Sequence, residues 1–302
     1  MKDNYLENIK NEIINGNAKV VAKNYQINNV KLTMNYNIGK ELAEAGKHYG
    51  EGIVKKYAKE LTNEFGTNYG ITNLKYMRLF YNFIKKGHAM HDELSWNHYK
   101  ILISLKNDNE INYYINISIR DNLSYRKLAE RIRSDEYGRL SIEAKESLQN
   151  KEKLSLVQSI PSPIVLTPNK SYEFYTEKIL QEIIFENIED FMHQLGGGYS
   201  YIGREYKLNI GDKKNYIDYL FYNVVDSRCC VVEIKAREYK KSDYGQIKTY
   251  MNYVDEHLKN ITQNSTIGII ITKSVNKFEA YYVKDNQVTI VEFKINKVVV
   301  AS

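Results

Sequence analysis

Two runs decide how this chain reads: Tyr216-Ile-Asp-Tyr-Leu-Phe-Tyr222 and, shortly after it, Val231-Val-Glu-Ile-Lys-Ala236. Both are rich in β-branched and aromatic residues and predict strands. Successive side chains in a strand point to opposite faces, so Glu233 and Lys235 share one face while Val232 and Ile234 turn into a core. Asp218 interrupts the first run in the same way. The short turn Asp226–Arg228 makes the two runs an antiparallel hairpin, which brings Asp218 towards Glu233 across the pair. Carboxylates and an ammonium in apolar strands are costly unless they are paired or bind an ion. Two readings stay open on these residues: a buried Glu233–Lys235 salt bridge, or a magnesium site for phosphodiester hydrolysis. In the second, Asp218 and Glu233 supply hard oxygen ligands, the Ile234 carbonyl a third, and Lys235 orients water or neutralises developing charge.

Working outward, the next helix, Ser242–Lys259, places Gln246 and Tyr250 four residues apart on one face. That face overhangs the Glu-x-Lys strand in one reading and is a polar rim in the other. Before the hairpin, Glu173–Leu195 predicts a helix ended by Gly196-Gly197-Gly198, followed by a strand over Tyr199–Leu208. The hairpin strands are predicted over Tyr216–Val225 and Cys229–Ala236. After the helix come an apolar strand, Thr266–Thr272, and a final pair near Tyr281–Lys284 and Gln287–Lys294. This order implies an α/β arrangement around a mixed central sheet flanked by helices.

All three prolines fall within Ser159–Asn169 (SIPSPIVLTPN), each fixing its own φ and restraining its predecessor. A linker over 159–170 therefore separates a helical domain, 1–158, from the strand-bearing domain, 171–302. In the helical part, Asn28–Gly46 carries Val30, Leu32, Met34, Ile38 and Leu42 at helical spacing, with Gly46 as a stop. Ile53–Phe65, Trp96–Leu105 and Glu110–Arg120 read as further helices. Thr72 is expected to cap Asn73–Ile84, and Ser124 to cap Tyr125–Arg133.

The chain has 302 residues, a net charge of +6 and 27 tyrosines against one tryptophan. The pI near 8.9 admits a polyanionic partner without requiring one. Asn, Ile, Lys and Tyr share AT-rich codons, which accounts for the tyrosines without invoking base stacking. No apolar run reaches the roughly 20 residues that span a bilayer, and Met1–Lys10 is polar, so no membrane partner and a cytoplasmic location are expected. Cys229 and Cys230 are adjacent, which disfavours a disulfide and cannot make a zinc site. The histidines show no ligand spacing, and His98 beside Trp96 reads as structural.

The C-terminal part resembles the YhcG-type bacterial proteins, a branch of the PD-(D/E)xK nuclease superfamily. The resemblance runs through Asn187–Gly196 (NIEDFMHQLG), Tyr199–Tyr206 (YSYIGREY), Tyr216–Tyr222, Val231–Lys235 and Gly245–Tyr250 (GQIKTY). In the N-terminal part it runs through Tyr36–Glu41 (YNIGKE), Asn73–Tyr81 (NLKYMRLFY), Trp96–His98 and Leu123–Arg131 (LSYRKLAER). The resemblance implies a restriction-endonuclease-like core that cuts DNA with Mg²⁺ or Mn²⁺, using Asp218, Glu233 and Lys235. Gln246 matches a glutamine common on the following helix, with Tyr250 beside it. An acidic residue on the first helix commonly assists, and Glu186 is placed there, with Glu182 and Glu189 competing. Where the family often reads FLLELG, this chain has Phe191-Met-His-Gln-Leu-Gly196, so Gln194 replaces an acid.

The N-terminal domain is expected to be all-helical and helix-turn-helix- or winged-helix-like. Gly70 would supply the turn, and Lys75 and Arg78 would face a groove of DNA. Arg126, Lys127, Arg131 and Arg133 form a second basic patch, offset by nearby acids. Self-association into a homodimer, or an unknown protein partner, is the competing role. The implied settings are foreign-DNA restriction, mobile-element handling or branched-DNA processing. The rival functions are a non-catalytic binding module on a nuclease fold and an RNA nuclease.

Overall fold

A computed structural model describes residues 4–22, 27–50, 52–150, 152, 154–210, 213–276 and 285–296. The chain divides into two compact units between Ser134 and Asp135. Among the described residues no helix is long and apolar enough to cross a membrane.

The first unit is helical: α1 (Asn4–Ala22), α2 (Ile27–Tyr49), α3 (Ile53–Phe65), α4 (Ile71–Lys85), α5 (Trp96–Leu102), α6 (Asp108–Arg120) and α7 (Tyr125–Arg133). The predicted stripe of α2 is its buried face, with Leu32, Ile38 and Leu42 almost fully enclosed. Gly46 does not stop that helix, which runs on to Tyr49 before Gly50 takes a φ of 74°. A glycine tolerates helical φ/ψ, and the left-handed turn that ends a helix comes at the next one. Gly39 lets α2 approach α4 closely, since a Cβ there would lie 2.0 Å from the Met77 carbonyl oxygen. A 3-10 turn (Thr67–Tyr69) joins α3 to α4. The N-cap of α4 is Gly70 rather than Thr72, so the helix starts at Ile71. α5 ends at Leu102, short of Leu105. Ser124 caps α7 as expected, accepting from the Lys127 N–H. His98 is buried, bonding Ser95 in a capping box and, through Nε2, the Leu123 carbonyl at 2.9 Å.

The second unit holds α8 (Ile142–Gln149), β1 (Ile164–Leu166), α9 (Glu177–Glu186), α10 (Ile188–Leu195), β2 (Tyr199–Ile210), β3 (Lys213–Asn223), β4 (Arg228–Glu238), α11 (Lys241–His257), β5 (Ile267–Ser274) and β6 (Val288–Ile295). The sheet order is β1-β6-β5-β4-β3-β2. β2, β3 and β4 are antiparallel neighbours, whereas β4–β5, β5–β6 and β6–β1 are parallel. β4 is thus internal and apolar on both faces. Cys230, Val232 and Ile234 face the core under α9 and α10, and Cys229 and Val231 face the core under α11. The Tyr281–Lys284 element lies outside the described residues.

The division between units falls ahead of the proline-rich stretch because Val157, Ile160, Ile164 and Leu166 are buried in the core beneath the sheet. The segment read as a linker supplies the edge strand β1. Gln194 holds that strand, accepting from the Val165 N–H at 2.8 Å and donating to the Val165 carbonyl at 2.7 Å. A carboxylate could only accept, so Gln194 does what an acid at this position could not. The helix predicted over Glu173–Leu195 is two helices. Asn187, at φ −123°, ψ 38°, leaves the helical conformation between them, and its amide donates to the Thr167 and Ile183 carbonyls. Asparagine offers the backbone such local alternatives to helix.

Candidate active site

Register explains how the two interrupting carboxylates meet. β3 pairs with β4 from Asn223↔Arg228 up to Tyr219↔Val232. The next pair in that register is Asp218 opposite Glu233, and there the backbone ladder stops. The freed donors are taken up by side chains. Glu233 Oε1 accepts from the Asp218 N–H at 3.3 Å, and Asp218 Oδ2 accepts from the Ile234 N–H at 2.7 Å. The carboxylates thereby replace the missing carbonyl acceptors, as buried backbone donors require. The Ile234 backbone stands at the site and its side chain lies in the core.

Glu233 is only 2% exposed and Lys235 8%. Lys235 Nζ donates to Glu233 Oε2 at 3.2 Å. Burial raises the pKa of Glu233, and the neighbouring Asp218 charge adds to this against the pull of Lys235. Burial also raises that of Asp218, opposed by the Ile234 N–H and Lys235 and reinforced by Glu177. Burial acts to lower the pKa of Lys235, but Glu233, Asp218 and Glu177 more than offset it, and the net direction is up. The centre therefore pairs an ammonium with two crowded carboxylates, whose mutual repulsion one cation does not fully relieve.

Two helices complete the surroundings. From α9, Gln181 Nε2 donates to Asp218 Oδ1 at 2.6 Å, while the Tyr219 hydroxyl donates to the Gln181 carbonyl. Glu177, one turn earlier on the same face, is close enough to act on Asp218 and Lys235. Glu186 is not part of this group. It lies on the opposite side of α9 from Glu177, exposed, and accepts from Asn169 at 3.1 Å. Nine residues turn an α-helix by two and a half turns, so Glu177 and Glu186 cannot serve one site. Glu182 is also off the Glu177–Gln181 face, and Glu189 belongs to α10.

α11 brings Gln246 and Tyr250 to the opposite side. Gln246 Nε2 donates to the Tyr250 hydroxyl at 2.9 Å. The Tyr250 pKa is raised by burial first, with Glu233 and Asp218 adding to it. The helix start is tied to β4 by Arg237, whose guanidinium grips both oxygens of buried Asp243 at 2.9 and 2.7 Å. Asp243 also accepts from the Lys240 N–H at 2.9 Å. A bidentate arginine–carboxylate pair is a rigid connector, and it sets where Gln246 and Tyr250 stand. Glu177, Gln181, Arg237 and Asp243 escape sequence reasoning. Gln181 and Asp243, the fifth and third residues of their helices, resemble ordinary rim residues. Among the described residues no group of three or more His, Cys, Asp or Glu side chains has a metal-holding arrangement.

The predicted basic residues of the helical unit fare unequally. Lys75 is exposed on α4, whereas Arg78 is half-buried and lies along α2 near Gly46. Arg131 is buried and bonds Asp121 at 2.7 Å, so it is a structural ion pair and not a nucleic-acid contact. Its position facing inward on α7 follows from Leu128, three residues before it, being in the core. Lys127 pairs with Glu130 at 3.0 Å. Arg126, exposed, lies over the Tyr125 ring, and Arg133 is exposed.

Comparison with known proteins places these observations in a family. The YhcG PDDEXK nuclease domain matches residues 158–299. The DUF1016 N-terminal domain matches residues 8–139. YhcG of Escherichia coli (strain K12) is 27% identical over 277 residues, covering 79% of this chain and 74% of that protein. Among solved structures, a repair endonuclease from Pyrococcus abyssi is similar over 42% of this chain and 49% of its own, at 20% identity and a TM-score of 0.30. The EndoMS–dsDNA2 complex is similar over 42% and 47%, at 21% identity and a TM-score of 0.29. This chain thus spans about half the length of those two solved chains. Residues 158–299 belong to the YhcG PDDEXK nuclease domain family, joined to a DUF1016 N-terminal domain over residues 8–139.

Proposed function

We propose that the protein hydrolyses phosphodiester bonds of DNA at the Asp218–Glu233–Lys235 centre with a bound divalent cation, Mg²⁺ or Mn²⁺. The observation that carries this reading is the parting of β3 from β4 at the pair Asp218/Glu233, with Lys235 Nζ 3.2 Å from Glu233. The donor set fits such an ion. Buried Glu233 and half-buried Asp218 supply hard oxygens whose repulsion Lys235 alone leaves uncompensated, and Mg²⁺ is commonly held by one or two carboxylates with waters completing its shell. A cation there supplies Lewis acidity towards a phosphate oxygen and a lowered pKa for bound water.

The remaining roles belong to the chain. Asp218 and Glu233 would hold the ion, and Gln181 and the Ile234 N–H fix the two oxygens of Asp218 in place. Lys235, kept protonated by the acids around it, is a poor base, and its part is to orient water and offset charge on the phosphate in flight. Gln246 and Tyr250 offer donors to phosphate oxygens from the α11 side. Glu177 takes the assisting position on the first helix in place of Glu186. Of the basic residues singled out in the helical unit, Lys75, Arg126 and Arg133 are exposed and available to hold DNA backbone.

The test is cleavage of linear, supercoiled and branched DNA, and of RNA, with Mg²⁺ and with Mn²⁺. Metal-dependent cutting of DNA that Glu233→Ala and Asp218→Asn both abolish is the expected result. Binding without cutting under every condition would turn the assignment to a non-catalytic module, and cutting of RNA alone would reassign the substrate.

A further inference from the structure

The outer strand β2 carries a feature that the centre described above does not use. Tyr201 pairs with Phe221 in register, and Arg204 pairs with Tyr219, with a shift between Tyr201 and Gly203. In an unbroken strand, residues three apart point to opposite faces. The extra residue, Ile202, resets the alternation, so Tyr201 and Arg204 both lie on the face of Tyr219 and Phe221. Bulges of this kind re-aim side chains beside functional sites. Glu205 follows with a φ of 48°, a conformation uncommon for any residue but glycine.

On that face the Arg204 guanidinium lies over the Phe185 ring, 4.3 Å from its centroid. The Phe185 ring is 6.1 Å from Tyr201, and Tyr201 is 6.3 Å from Tyr219. Phe185 is 42% and Tyr201 37% exposed, and Arg204 is exposed as well. Among the described residues no carboxylate forms a salt bridge with Arg204. It stands opposite Tyr219 in register, close enough for its charge to act on that hydroxyl. Tyr219 in turn bonds the Gln181 carbonyl, and the Gln181 amide holds Asp218. Arg204 is therefore seated on Phe185, without an acid partner, beside the Tyr219–Gln181 pair that reaches the carboxylate centre.

We infer that Phe185, Tyr201 and Arg204 form a stacking platform for an unpaired nucleobase of DNA entering beside the Asp218–Glu233 centre, with Arg204 also holding its phosphate. An arginine plane seated on an aromatic ring with one face offers the other to a base, and its N–H groups match a phosphate. The faces of bases are accessible to such a platform only where a strand is single or splayed. The substrate class is accordingly DNA with a single-stranded or forked segment at the cut. This inference rests on the nuclease reading above, which names the same centre.

The experiment measures binding of fluorescent single-stranded, forked and fully paired DNA of one sequence to the full chain in EDTA, where no cleavage intervenes. Arg204→Ala, Arg204→Lys and Tyr201→Ala are compared with the unaltered protein, and unchanged melting temperature establishes that each is folded. The expected result is a loss of about tenfold for single-stranded and forked DNA in Arg204→Ala and Tyr201→Ala, from the usual worth of one stacked base. Arg204→Lys keeps the charge and loses the plane, so it is expected to fall close to Arg204→Ala. Binding of paired DNA is expected to change by less than about twofold. Equal losses on paired and unpaired DNA, full rescue by lysine, or no loss in either alanine variant would overturn the platform. An unaltered protein that binds no DNA in any form would overturn the proposed function itself, which separates the two failures.

Discussion

Replacing Asp218 by asparagine removes one of two crowded charges while preserving shape, and the structure sets the expected size and sign of the effect. The Ile234 N–H, now 2.7 Å from Oδ2, can bond the amide oxygen instead, and the Gln181 amide can turn over to accept from the new donor. The Glu233–Lys235 pair at 3.2 Å is left as a one-to-one contact. Burial raises the Asp218 carboxyl from its ordinary 3.8 to about 6. A carboxyl whose pKa is higher in the folded state binds more protons folded than unfolded between those two values, so folded stability falls as pH rises through that window. Above about pH 6 the full cost of holding the charge is present. A rise of this size corresponds to at most about 3 kcal/mol, and screening of a half-buried side chain reduces it to about 1–2 kcal/mol. At roughly 2–4 °C per kcal/mol for a domain of this size, Asp218→Asn is expected to melt about 2–8 °C higher than the unaltered protein near pH 8. Below pH 3.8, where the carboxyl is protonated in the folded and unfolded states alike, the difference is expected to vanish. The assay is thermal unfolding in EDTA across that range. A variant that melts no higher at alkaline pH, or a gap of the same size at both ends, would refute the reasoning. Adding Mg²⁺ is expected to narrow the gap, because a ligand that binds only the folded, unaltered site raises its stability by mass action.

Gln194→Glu keeps length but loses the donor to the Val165 carbonyl, and about 1–3 kcal/mol of stability is expected to go with it; hydrogen exchange would show β1 losing protection first. Gly39→Ala forces a methyl to within 2.0 Å of the Met77 carbonyl and is expected to destabilise the helical unit by about 1–3 kcal/mol or more, read by denaturant unfolding. Arg131→Ala removes one of the two guanidinium partners of Asp121, which keeps Arg120, and is expected to cost about 1–3 kcal/mol in the same assay. Arg126→Ala, at an exposed position, is expected to leave stability within about 0.5 kcal/mol, while binding of DNA becomes less dependent on salt if the helical unit holds the backbone.

The convergence of Asp218, Glu233 and Lys235 was legible in the chain because strand geometry is local. A two-residue period puts Glu233 and Lys235 on one face, and a polar residue inside an apolar run marks Asp218 without reference to anything distant. The four-residue spacing of Gln246 and Tyr250 and the cap at Ser124 are local for the same reason. What escaped depends on contacts between segments far apart in sequence. The choice of Glu177 and Gln181 over Glu186 follows from which face of α9 meets the sheet, and the split at Asn187 from its bond to Thr167. β1 exists because Gln194, 29 residues away, completes its hydrogen bonds. Arg131 is buried because Asp121 waits for it, and no charge pattern along α7 announces that. Residue identity and short-range period determine which groups can do chemistry; only the packing of distant segments decides which of several equivalent candidates is brought to the site, because that selection is made by long-range contacts that leave no period in the sequence.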